Sequence, residues 1–147
     1  MGSLLRLVFG GAKLECVGAE VMIALPRFAF GVIMPLYFGL SKFPVPQWFI
    51  DDVGKLGFPM PFVFAWAAVL TEVVGSFMLA LGLCTRVVAA LLVFTMGVAA
   101  FVQKGDAELW QKLPSLCFMV NAWFAMVLGS GRFGLDEIIR RKWVRGA

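Results

Sequence analysis

No histidine occurs among the 147 residues, and that absence removes most familiar catalytic chemistry. Bis-histidine haem ligation, histidine-bound zinc or copper, and Ser-His-Asp or Cys-His nucleophile systems cannot be assembled from this chain. Cysteine is nearly as scarce. Cys16, Cys84 and Cys117 include no C-x-x-C pair, and no metal site is expected from them. Cys84 and Cys117 are expected on opposite halves of a bilayer, beyond the roughly 7 Å between Cα atoms that a disulfide tolerates. Charge is the third deficit: 15% of residues are charged and 61% hydrophobic, where a soluble domain has about a quarter charged. That balance excludes disordered, collagen-like and disulfide-scaffold classes and points to an integral membrane protein.

About 20 apolar residues cross the hydrocarbon, and a charge at its centre costs several kcal/mol, so uncharged runs locate the spans. Four are expected, near 21–40, 62–83, 87–102 and 113–129, with Arg27 inside the first and Glu72 inside the second. The fold class expected is therefore an all-α integral membrane protein, a four-transmembrane up-down-up-down helix bundle over residues 21–129. It is flanked by an interfacial N-terminal segment, 1–20, and a basic amphipathic tail, 130–147. Gly82 and Thr85 predict a tight antiparallel turn, with Gly82 ending one helix and Thr85 capping the next. The proline-bearing stretch 43–60 suits a short interfacial helix around Trp48 to Val53. Residues 103–112 read as a polar connection.

Basic residues accumulate on the cytoplasmic side of short loops. Arg6, Lys13, Arg27, Arg86, Arg132, Arg140, Arg141, Lys142 and Arg145, nine of thirteen, share the side of both termini. Lys42, Lys55, Lys104 and Lys112 fall on the other. Both termini are therefore expected in the cytoplasm. In the tail Leu135, Ile138, Ile139 and Trp143 share a helical face, with Asp136 and Glu137 in the first turn and Arg140, Arg141 and Lys142 in the last. That arrangement suits a helix on the inner leaflet, held by anionic headgroups.

Glu72 is the most informative residue. A carboxylate within hydrocarbon must be paired, hydrated or protonated, and Ala68, Gly75, Ser76 and Leu79 surround it with a stripe that admits a close neighbour. At a rise of about 1.5 Å per residue, Arg27 should stand roughly 9 Å and Glu72 roughly 16 Å above the cytoplasmic boundary. One arginine side chain spans that difference. Arg27 is thus the expected partner, with Lys42 as a second cation above and Arg86 below. Two uses of the pair stay open: a register-fixing ion pair between spans one and two, or the lining of a cavity in which Glu72 exchanges a proton and Arg27, Lys42 and Arg86 hold a ligand.

The residues in order resemble the DoxX family of small four-helix bacterial membrane proteins. The resemblance runs through Arg27 and Gly31, Gly39-Leu40-Ser41-Lys42-Phe43, and Gly57-Phe58-Pro59-Met60-Pro61. It continues through Glu72-Val73-Val74-Gly75, Leu81 to Arg86, and Gly129 to Asp136, about residues 20–137. Within the family the likeness is to the inner-membrane YphA-like type. Two positions depart from the family pattern: Gly134 stands where a serine is common, and Phe38 where a histidine is frequent.

The resemblance implies a multi-pass protein of the bacterial inner membrane, with family members associated with membrane-bound quinone chemistry. The chain has no intrinsic cofactor, so any redox role would need partners. The expected function is a non-catalytic subunit or interaction partner in a membrane assembly, with lipid, other membrane proteins or further copies of itself as partners and no nucleic acid. The alternative is a quinone-binding subunit of an oxidoreductase complex. A solute carrier fits less well, since Glu72 and Asn121 are the only deep acid and amide.

Overall fold

The computed structural model describes residues 17–145, and all of its described elements are helical. Among the described residues, three helices are long and apolar enough to cross a membrane: α1 (Val17–Lys42), α3 (Pro61–Leu81) and α4 (Thr85–Gln103). The short α2 (Gln47–Lys55) joins α1 to α3. A further helix, α5 (Leu109–Leu128), packs along α4, and α6 (Leu135–Arg145) follows a glycine-rich turn. The expected N-terminal interfacial segment lies, up to residue 16, outside the described residues, as do Cys16 and the side chain of Trp143.

Several boundaries differ from expectation. Residues 17–20 belong to α1, and α5 begins at Leu109, so the polar connection after α4 is short. α1 is α-helical to Met34, runs as a π-turn over Pro35–Gly39, then tightens through Leu40–Lys42. Proline removes a backbone donor, and a widened turn is one way for a helix to absorb that loss. Similar π-turns occupy Thr71–Gly75 in α3 and Val98–Gln103 at the end of α4.

Between lipid-facing helices there is little hydrophobic driving force, so close fit decides the packing. Ala65, Ala89 and Ala100 are fully buried, and Leu92 and Met96 of α4 meet Phe118, Ala122 and Ala125 of α5 in the main core. α1 crosses α3 so closely that a Cβ on Gly31 would lie 2.8 Å from the Ser76 carbonyl oxygen and from Ala80. One on Gly39 would lie 2.6 Å from Val73 Cγ2. These two contacts run in opposite directions along the helices, so α1 and α3 are antiparallel neighbours. The small-residue stripe divides its work: Ser76 faces Met34 of α1, while Gly75 faces Val88 of α4.

α2 takes the place expected for a short amphipathic helix. Phe49 and Val53 bury themselves against Ala65 and Val69 of α3, while Trp48 remains exposed. At the other end of α3, Gly82 adopts φ +69°, and the Leu83 N–H returns to the Met78 carbonyl at 2.9 Å. This left-handed glycine closure ends α3 and turns the chain into α4.

Candidate functional site

Glu72 is buried, 2% exposed, in the π-turn that faces both α1 and α4. Its partner is Lys42, not Arg27. The Lys42 ammonium donates to both carboxylate oxygens, at 3.0 Å to Oε1 and 2.8 Å to Oε2. Lys42 stands in the last turn of α1, and the close approach at Gly39 brings that turn onto Val73, beside Glu72. The ammonium also lies 5.3 Å from the centre of the Phe49 ring, a favourable site for a cation on an aromatic face. Lys104, just past α4, is within electrostatic reach of Glu72, and its ammonium donates to the Gln111 carbonyl at 2.9 Å. The site thus consists of a carboxylate clamped by one lysine, whose ammonium lies beside a phenylalanine ring, and flanked by a second lysine.

Arg27 belongs to a different place. It is level with Gly82, where a Cβ would lie 3.2 Å from its Nη2, and its Nη1 donates to the Ser130 carbonyl. The depth estimate erred because it set Val21 level with the end of α3, whereas the register fixed by Gly31 against Ser76 and Ala80 puts Arg27 at that level, with the earlier residues of α1 running beyond it. About ten residues of α3 separate the level of Arg27 from Glu72, roughly 15 Å of helix rise. Arg86 is also away from Glu72, its Nη2 reaching the Val127 carbonyl at 3.5 Å. Of the four expected site residues, the fold brings together Lys42 and Glu72 and leaves Arg27 and Arg86 at the far end.

That far end is a second polar centre, built where the chain after α5 folds back over the α3–α4 turn. Asp136, 1% exposed, accepts from the Cys84 N–H at 2.7 Å, the Thr85 N–H at 2.9 Å and the Thr85 hydroxyl at 2.8 Å. It caps α4 from another segment, in the role that local sequence assigned to Thr85. Asp136 also supplies the negative charge that acts on Arg27, and its own N–H donates to the Gly82 carbonyl at 3.0 Å. Glu20 of α1, 2% exposed, accepts from the Arg132 N–H at 2.8 Å, with Arg132 Nε 3.7 Å from its other oxygen. Burial and the neighbouring Asp136 carboxylate both push the Cys84 thiol above its ordinary range.

Sequence reasoning missed Glu20, Asp136 and Phe49 as site residues. Asp136 and Glu137 looked like first-turn acids of a surface helix, and both are buried. A signal was available in the lack of a strong capping side chain at Cys84, which left the first N–H groups of α4 needing an acceptor from elsewhere.

A family model for DoxX matches residues 22–105, which take in α1 from residue 22 onward and the whole of α2, α3 and α4, together with the Lys42–Glu72 pair. No curated protein and no solved structure matches the chain. The match covers more than half of the 147 residues, and with it the chain belongs to the DoxX family.

Proposed function

We propose that this protein is a four-span bundle of the bacterial inner membrane, working as a non-catalytic subunit or interaction partner in a membrane assembly. The carrying observation is the closure of the Lys42–Glu72 pair: both carboxylate oxygens accept from one ammonium of the same chain. A buried pair satisfied internally fixes the register of α1 on α3 and asks for no ligand. α5 is the proposed fourth span, supported by its 20 residues and by the outward row of Val120, Trp123, Phe124 and Val127. The cluster of Arg86, Arg132, Arg140, Arg141 and Lys142 at the α3–α4 turn supports a cytoplasmic position for that end.

A second reading has one observation in its favour. Lys42 keeps 24% of its side chain exposed and has a third ammonium proton beyond the two donated to Glu72. Beside the Phe49 ring, that proton suits a carbonyl oxygen of a quinone head group. Electron transfer would then run through a partner, because the sequence has no histidine for a haem and no C-x-x-C dithiol.

Native mass spectrometry of the protein, gently extracted from its own membrane, separates the two. The expected spectrum contains phospholipid with a reproducible protein partner or a self-oligomer. A near-stoichiometric quinone mass that disappears in Lys42→Met would replace the assembly reading with the quinone reading.

A further inference from the structure

The burial of Asp136 and Glu137 fixes how α6 is rotated. With those acids turned toward the protein, 1% and 5% exposed, the opposite side of the helix presents Leu135 and Ile138, preceded by exposed Phe133. One turn beyond Ile138 on the same side come Arg141 and Lys142, both exposed. Glu137 holds Arg140 through two bonds, at 2.7 and 2.9 Å, and Arg141 through one at 2.9 Å. The helix therefore carries more cationic than anionic charge: Arg140, Arg141, Lys142 and Arg145 against Asp136 and Glu137.

An apolar row ending in cations, held at the end of a membrane bundle, has the form of an interfacial helix. The three spanning candidates put the bilayer beside it, and the excess positive charge selects among lipids. We infer that α6 is a headgroup-binding helix whose Phe133–Leu135–Ile138 row enters the leaflet next to the α3–α4 turn, while Arg141 and Lys142 bind anionic phospholipid headgroups. The buried Asp136 cap makes this orientation part of the fold, so the helix is presented to lipid already rotated. The inference rests on membrane insertion of the bundle and is independent of whether the Lys42–Glu72 pair is structural or binds a quinone.

The test uses the full chain with Cys16, Cys84 and Cys117 replaced by serine and a nitroxide on Ile138→Cys. The labelled protein is reconstituted into nanodiscs of phosphatidylglycerol or of phosphatidylcholine, and collision of the label with oxygen and with a water-soluble nickel complex is measured. In phosphatidylglycerol the label should be oxygen-accessible and nickel-protected. Each cation near an anionic surface favours anionic lipid by about five-fold, so Arg141→Gln with Lys142→Gln should reduce the preference for phosphatidylglycerol over phosphatidylcholine roughly 25-fold. Neither substitution touches the Asp136 cap, and the unfolding temperature of the labelled protein reports whether the bundle is intact. Nickel access in phosphatidylglycerol would overturn the inference. So would equal protection in phosphatidylcholine, which would mean apolar insertion without headgroup binding. Protection from both reagents would mean that protein, not lipid, covers the row.

Discussion

Charge removal at Lys42 and at Glu72 should have unequal costs, because the two side chains have unequal access to water. Lys42→Met strands a carboxylate whose side chain is 3% exposed, and breaking a buried pair in this way costs about 3–5 kcal/mol. Glu72→Gln strands an ammonium that is 24% exposed and can turn outward along its flexible stem, so the loss is nearer that of charged hydrogen bonds, about 1–2 kcal/mol. The double variant leaves no charge behind. Its loss should be that of an imperfectly bonded amide, about 1–2 kcal/mol, well short of the sum of the singles. At about 2–4 °C per kcal/mol for a chain of this size, Lys42→Met should lower the midpoint by roughly 10 °C and the other two variants by roughly 3–6 °C. Thermal unfolding in mild detergent, followed by tryptophan emission, provides the assay. Additive losses would show that the two residues are not energetically coupled, and the geometric argument for a register-fixing pair would be refuted.

Three further predictions concern the second polar centre. Asp136→Asn keeps the shape of the α4 cap but removes its charge, so it should lower the unfolding midpoint, and it should also move the pH profile of Cys84 alkylation downward. In the unaltered site the raised thiol gives little thiolate at pH 8, so iodoacetamide should react more slowly with a protein retaining only Cys84 than with free cysteine, and the rate should keep rising above about pH 8.5. Gly82→Ala should destabilise by about 2 kcal/mol or more in the same thermal assay, since φ is +69° and the added Cβ would lie 2.6 Å from the Gly134 Cα. A near-neutral Gly82→Ala would contradict the close approach of the tail to the turn.

Glu72 stood out in the sequence because a single acid in an apolar run has no inconspicuous explanation, and Gly82 did so because a left-handed helix end favours glycine. Their environments were harder to read. The identity of the Glu72 partner depends on how α1 slides along α3, and that is fixed by which backbone each glycine approaches. Gly31 and Gly39 announce a close approach without naming Ser76, Ala80 or Val73 as its object. The π-turns at Pro35–Gly39 and Thr71–Gly75 alter the phase that a regular 3.6-residue period assumes. The Asp136 cap was obscured for another reason. It spans 51 positions to Thr85, and periodicity within the tail accounts equally well for an acid facing solvent and for one facing the bundle.

The remote cap has a consequence for how the molecule is made. α4 is synthesised with its first N–H groups lacking their carboxylate acceptor, and the residue that supplies it emerges from the ribosome only after the whole of α5. Asp136 then ties α4 to the tail at the same time as Ser130 engages Arg27 and Arg132 engages Glu20. Closure of this end therefore waits on a segment made after α5: residues 130–136 convert helices laid down in sequence into a closed unit, joining α1 to the beginning of α4.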